Sequence, residues 1–190
     1  MESQTLLLPK RLTERIPNCD YNYLQGAIMQ EISRTDWFFE RVQAMEPTLF
    51  RTAYALLQNT ADCEDAVQSA LTRAYACFGS LRDTERFAPW LLRILKNECY
   101  TLLRRRKFWA PLDAGKESAD EMHPPDPDFS AAFGKLPQSQ RLLLTLYYYE
   151  GYTTGEIAAV LAIPSGTVKS RLARARKALG ALLADKEIVQ

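Results

Sequence analysis

The stretch TTGEIAAVLAIPSGTVKSRLARARKAL, Thr153–Leu179, decides the fold. Its first four residues, Thr153 to Glu156, fit a capping box. In that motif the Thr153 hydroxyl accepts from the Glu156 amide, and the Glu156 carboxylate reaches back. Ile157, Ala158, Val160 and Leu161 follow as an apolar face. Ala162-Ile163-Pro164 breaks the pattern, and Ser165 offers a new cap. A short helix, a tight turn and a second helix is the spacing of a helix-turn-helix. On a wheel of about 100° per residue, Val168, Leu172, Ala175 and Leu179 share roughly one sixth of the circumference. That narrow stripe docks the second helix. The opposite side carries Lys169, Ser170, Ala173, Arg174 and Lys177, with Arg171 and Arg176 at the borders. A face small at its centre and basic at its edges can press into a major groove while its cations meet phosphates. No acid interrupts Lys169 to Lys177, so the attraction is salt-sensitive. A basic, solvated helix with no ligand is the plainer reading. Cap, turn and stripe occurring together weigh against it.

Upstream, Gln138–Tyr149 reads as a short apolar helix between Pro137 and Gly151. Residues 108–130 hold six acids against Lys116, together with Pro111, Pro124, Pro125 and Pro127. Prolines lack amide donors and push their neighbours out of the helical region, so this segment is expected to be a flexible acidic linker. Three further helical patterns precede it. Trp37–Leu57 places Phe38, Val42, Met45, Leu49, Ala53 and Leu56 in register. Ala61–Phe78 does the same with Cys63, Ala66, Val67, Ala70, Leu71, Ala74 and Cys77. Asn59, Thr60 or Asp62 can cap the latter, and Gly79 can end it. The third starts near Pro89 and runs to the basic block Arg104–Lys107. No stretch alternates strictly enough for a strand. The expected fold is all-α: two small helical domains, residues 36–107 and 131–184, joined by the linker 108–130. Residues 1–35 form an extension of unassigned role, and 185–190 a tail.

The 190 residues are 47% apolar and 25% charged, which excludes wholesale disorder. The net charge of +1 is unevenly placed: residues 36–107 carry eleven bases and nine acids, and residues 131–190 eight bases and four acids. Two basic blocks flanking an acidic joint suit two contacts with a polyanion. The longest apolar run, Leu142–Tyr149, is too short to span a bilayer, and Leu6–Leu8 makes no signal-peptide core. Cys19, Cys63, Cys77 and Cys99 are far apart and His123 is the single histidine, so neither a zinc site nor a disulfide framework is expected. The chain reads as soluble, cytoplasmic, without metal or cofactor, and without a catalytic set. Phe78, Phe87 and Trp90 border the polar segment Gly79–Arg86. Aromatics beside cations can hold unstacked bases, although they are more often core.

DCEDAVQSALTRAYACF (Asp62–Phe78), PWLLRILKNE (Pro89–Glu98) and the block RRRK resemble region 2 of bacterial sigma factors. Leu136–Leu179 resembles region 4. Two regions and a short linker look like the extracytoplasmic-function (ECF) group of the sigma-70 family. The resemblance covers about residues 37–180. It implies a sigma factor that binds core RNA polymerase, reads the −35 promoter element through the helix-turn-helix and opens the −10 element with region 2. On that resemblance Asp62, Glu64, Asp65, Gln68 and Arg73 face the polymerase clamp helices. Gly79–Arg86, including Arg82 and Arg86, captures a flipped base, with Phe87 and Trp90 adjoining. Arg93, Lys96, Asn97, Arg104 and Arg105 follow the duplex edge. Lys169, Ser170, Ala173 and Arg174 match base-facing positions, and Thr167, Arg171 and Arg176 backbone-facing ones. Ala173 departs from family members that carry a larger side chain there. Leu142–Tyr149 would face core and the polymerase flap tip, and the linker would run through the RNA exit path. An anti-sigma factor is an expected partner; a small-molecule substrate is not. The alternative is a conventional helix-turn-helix regulator acting on duplex DNA as a dimer. A DNA-processing enzyme would need clustered acids or a nucleophile, which the sequence does not supply.

Overall fold

The computed structural model describes the backbone of residues 21–109 and 127–187, and the side chains of 33–106 and 127–184. Residues 110–126 of the expected linker, with His123, most of the N-terminal extension, with Cys19, and the last three residues of the tail lie outside these. Seven α-helices and no strands occur among the described residues: α1 Tyr21–Leu57, α2 Thr60–Cys77, α3 Phe87–Trp109, α4 Pro127–Lys135, α5 Gln138–Leu144, α6 Thr154–Leu161 and α7 Ser165–Glu187. The first helix starts at Tyr21, well before the expected Trp37. The apolar register that marked Trp37–Leu57 reflects burial, and a helix can continue where its faces are less sharply divided. The fourth helix starts at Pro127, inside the expected linker. Proline suits a first helical position, where no amide bond is lost.

The chain divides into two compact units, Met1–Gln43 and Ala44–Gln190. The division falls inside α1. Pro47 has no amide to give the carbonyl four residues back, which is that of Gln43. In the first unit Arg41 lies 5.4 Å from the centroid of the Trp37 ring. Phe38 and Phe39 meet edge to face at 5.7 Å.

In the second unit α2 buries only small side chains, Cys63, Ala66, Ala70 and Ala74. Small residues let helix axes approach closely. The facing helix α3 supplies the bulk: Leu91, Leu92, Leu95 and Cys99. Burial pushes both Cys63 and Cys99 up to about 12. Asn59 caps α2, accepting from the Asp62 amide at 2.9 Å. Ion pairs Asp62–Arg106 (2.7 Å) and Arg73–Glu98 (3.0 Å) tie the two helices along their length. The end of α1 adds Leu49, Ala53 and Ala55–Leu57, the turn after α2 adds Phe78 and Phe87, and the later helices add Ala132, Leu136, Leu142–Leu144, Leu146, Ile157, Val160, Val168, Leu172 and Ala175.

The two helix groups, the end of α1 through α3 and α4 through α7, both fall in the unit from Ala44 onward. Polar ties that sequence periodicity does not reveal run between them. The Arg141 guanidinium is buried and donates to the carbonyls of Ala55 (2.7 Å), Leu56 (3.4 Å), Gly134 (3.3 Å) and Leu136 (2.5 Å). It thereby satisfies carbonyls at the C-terminus of α1, which lack helical partners. The Glu150 carboxylate, 4% exposed, pairs with Arg51 and accepts from the Thr48 hydroxyl at 2.5 Å. The hydrogen bond to Glu150 raises the Arg51 pKa.

Candidate nucleic-acid interface

The helix-turn-helix forms as its sequence dictates. Thr153 Oγ1 accepts from the Glu156 amide at 3.3 Å, and Glu156 Oε2 accepts from the Thr153 amide at 2.8 Å. Helix α6 ends at Ala162, whose φ of 56° is left-handed, and this turns the chain sharply. Ser165 is the first residue of α7 rather than its cap. The Pro164 carbonyl accepts from Thr167 (2.9 Å) and Val168 (3.2 Å) to start the helix.

The wheel expected for α7 is the one observed. Val168, Leu172 and Ala175 are buried, and Leu179 is half-buried. Lys169, Ser170, Arg171, Ala173, Arg174, Arg176 and Lys177 are exposed, and Thr167 is half-buried at the N-terminal end. The Ser170 hydroxyl donates to the Thr167 carbonyl at 3.0 Å. A hollow lies on each side of the helix. One, about 240 Å³, is lined by Ser139, Gln140, Leu143, Arg171 and Arg174. The other, about 340 Å³, is lined by Tyr147, Tyr148, Thr154, Lys169, Leu172 and Arg176. Each hollow is bordered by two cations, an arrangement suited to the two phosphate walls of a groove. Gln140 Oε1 is buried without a hydrogen-bond partner.

On α3, Arg93, Lys96, Asn97, Tyr100 and Arg104 span about 100° of the wheel, opposite the buried Leu91, Leu92, Leu95 and Cys99. Arg93, Asn97, Arg104 and Arg105 are exposed; Lys96 and Tyr100 are half-buried. Lys96 Nζ donates to the Val160 carbonyl at 3.2 Å, capping the last turn of α6. Burial, and secondarily Arg93, holds the Lys96 ammonium below its usual range. Tyr100 is pushed up chiefly by burial.

The segment Gly79–Arg86 takes two 3₁₀ turns, Phe78–Ser80 and Thr84–Arg86. Arg82 and Arg86 are exposed, and Arg86 pairs with Asp83 at 3.0 Å. Phe87 corrects an expectation. It is buried, edge to face with Phe78 at 6.4 Å and tilted against Trp90 at 5.8 Å. An aromatic packed from below braces this segment and has no free face for a base, whereas Trp90 is half-buried.

The expected polymerase face also divides. Glu64, Asp65 and Gln68 are exposed on one side of α2. Asp62 is half-buried with Arg106, and Arg73 is exposed but engaged with Glu98. Beyond α5 the chain makes a π-helical turn, Thr145–Tyr149. Leu142–Leu146 are buried there, but Tyr147, Tyr148 and Tyr149 are 39%, 54% and 55% exposed. The apolar run therefore has a buried end and an aromatic surface end.

Sequence reasoning passed over Glu150 and Arg141. Glu150 is the sole acid between Asp128 and Glu156, and Arg141 the sole base between Lys135 and Lys169. Lone charges in apolar surroundings were the signal, because such groups are buried only when partnered.

Comparison with known proteins gives these helices a family. The model of sigma-70 region 2 matches residues 41–108, and that of sigma-70 region 4 matches residues 128–179. The ECF RNA polymerase sigma factor SigW of Bacillus subtilis is 32% identical over 169 residues, covering 79% of this chain and 90% of its own. The ECF RNA polymerase sigma factor SigM of Mycobacterium tuberculosis is 35% identical over 139 residues, covering 71% of each chain. Among solved structures, the sigma factor RpoE of Bartonella quintana, in complex with the anti-sigma factor NepR, is similar with a TM-score of 0.65 and 28% identity. That match covers 77% of this chain and 96% of the other. The helix-turn-helix, the α2–α3 pair and these matches agree, and the chain belongs to the ECF group of sigma-70 RNA polymerase sigma factors.

Proposed function

We propose that the helices of this chain divide the work of promoter-specific initiation between two DNA-facing surfaces and one polymerase-facing surface. The carrying observation is α7, where Val168, Leu172 and Ala175 are buried while Lys169, Ser170, Arg171, Ala173, Arg174, Arg176 and Lys177 stand exposed. Lys169, Ser170, Ala173 and Arg174 read base edges at −35, where a good bidentate contact is worth about 1–3 kcal/mol of discrimination. Thr167, Arg171 and Arg176 hold the phosphates. Arg82, Arg86 and Trp90 receive a base unstacked at −10, a step that costs a few kcal/mol and needs offsetting contacts. Arg93, Lys96, Asn97, Arg104 and Arg105 follow the duplex. Glu64, Asp65 and Gln68 meet core polymerase, and the Tyr147–Tyr149 surface lies on the flap side of region 4.

The mechanism is differential binding: affinity is spent on the right duplex and on one opened strand. The sigma-70 family is not an enzyme class, and the chain is read as non-catalytic. It acts in the cytoplasm, where polymerase and promoter meet. Among the described residues no helix is long and apolar enough to cross a membrane. An anti-sigma factor is its regulator, by analogy with the relative captured with one. Gel filtration with core polymerase tests the assignment. The wild-type chain should co-elute with core, and Asp65→Arg should lose most of that association. Co-elution unchanged by Asp65→Arg would take Asp65 off the polymerase face, and no wild-type co-elution would end the reading.

A further inference from the structure

Three side-chain oxygens among the described residues are buried without a hydrogen-bond partner: Thr52 Oγ1, Asp62 Oδ2 and Gln140 Oε1. Asp62 Oδ2 is compensated by its ion pair with Arg106, and Thr52 is enclosed in the core. Gln140 differs from both. It lies on α5, outside the helix-turn-helix, and lines the hollow of about 240 Å³ beside α7. The other lining residues are Ser139, Leu143, Arg171 and Arg174: a hydroxyl, an apolar wall and two cations, with no acid. Leu143 is buried, and Ser139, Arg171 and Arg174 are exposed. A buried acceptor without a partner loses its hydration and gains nothing in return. Such a group in a native chain calls for an explanation. On the α7 wheel Arg171 borders the buried stripe, and Arg174 stands about 60° farther out. Arg174 Nε donates to the Ser170 carbonyl at 3.5 Å, along its own helix. Arg171 is therefore the cation set to meet a buried oxygen of α5.

Resting on the sigma-factor reading, we propose that α5 takes part in promoter binding. The hollow between α5 and α7 seats one backbone phosphate of the −35 duplex, held by the Arg171 guanidinium and the Ser139 hydroxyl, and Gln140 is the positioning residue that turns Arg171 toward it. A guanidinium is a planar fork of donors with no acceptor. Gln140 Oε1 takes an N–H at the buried edge, and the opposite edge presents paired donors to the phosphate. Fixing the plane beforehand removes rotamer freedom that binding would otherwise have to freeze. Leu143 walls the inner side, so salt screens this contact less than one on an open surface.

Binding of the holoenzyme to a fluorescent duplex that it transcribes tests the seat. Gln140→Leu should weaken binding about fivefold, Ser139→Ala about twofold, and Arg171→Ala about tenfold with the salt slope lowered by about one. Gln140→Leu added to Arg171→Ala should weaken binding no further, because one residue acts through the other. A single methylphosphonate linkage, neutral where the phosphate was charged, should abolish the effects of both variants at one position of the −35 duplex. The urea midpoint of Gln140→Leu should equal or exceed the parent's, since an unsatisfied acceptor is removed. Gln140→Met, unbranched and of similar length, should behave the same. Full additivity of the double variant, unchanged binding by both apolar variants, a linkage scan with no coupled position, or a lower midpoint in both apolar variants overturns the proposal. If the parent holoenzyme binds and transcribes while the variants are additive, the seat falls and the sigma reading stands. If no holoenzyme forms, the sigma reading falls, and the same variants read on the free chain with duplex DNA at low salt decide the seat.

Discussion

Helices α3 and α7 are both basic on one side, yet only α7 shows that side whole. Its cations from Lys169 to Lys177 are all exposed, and its docking stripe is part of its own 3.6-residue period. Helix α3 has the same design, but Lys96 and Tyr100 are half-buried and the Lys96 ammonium is engaged by the Val160 carbonyl of α6. A helix's own period shows which face packs against its nearest core. It does not show whether a segment more than sixty residues away will sit on the other face, because that contact depends on a few polar groups of long sequence separation.

The largest expected effect tests whether those groups hold the comparison together. Arg141→Met leaves four buried or part-buried carbonyls without their donor. It should cost about 3 kcal/mol or more, read as a fall in the urea midpoint. A loss near zero would show that the guanidinium is not what joins α1 to α4 and α5.

The next effect sharpens the difference between the helices. Arg174→Ala should cost about 1–3 kcal/mol of discrimination at −35, so transcription from templates with a matching −35 should fall about fivefold or more while core binding is kept. Arg93→Ala should act almost uniformly across −35 sequences and lower the salt slope of promoter binding by about one. If the two variants behave alike, the division into a reading helix and a following helix is wrong.

The smallest effect is a pH response. Cys63 and Cys99 between α2 and α3, and Tyr152 ahead of α6, are each pushed up to about 12, in every case chiefly by burial. A raised folded pKa means the folded chain holds its proton more tightly. Stability is therefore whole below the ordinary values of 9.0 and 10.0 and is lost as pH rises from there toward 12. Chemical denaturation at pH 8 and pH 10.5 should show a lower midpoint at the higher pH, and a higher one would contradict the burial.

Much of this was legible. The capping box, the turn at Ala162–Pro164 and the α7 stripe follow from local rules, and each appears where the sequence put it. The α2 period was equally plain, and of the three possible caps Asn59, Thr60 and Asp62 the structure uses Asn59. Phe87 was not, because an aromatic next to cations suits a base pocket and a core alike, and only its contacts with Phe78 and Trp90 decide. Asp62 read as a free surface acid until Arg106, a full helix away in sequence, was placed beside it. Tyr147–Tyr149 read as the end of an apolar helix. The π-helical turn gives the chain an extra residue there and sends three aromatics outward.

Run-off transcription with purified core polymerase, with and without this chain, tests the central claim most directly. On a template pool carrying varied −35 and −10 sequences, the account predicts discrete transcripts that appear only when the chain is added and that Arg174→Ala redistributes. Transcripts identical with and without the chain would contradict it.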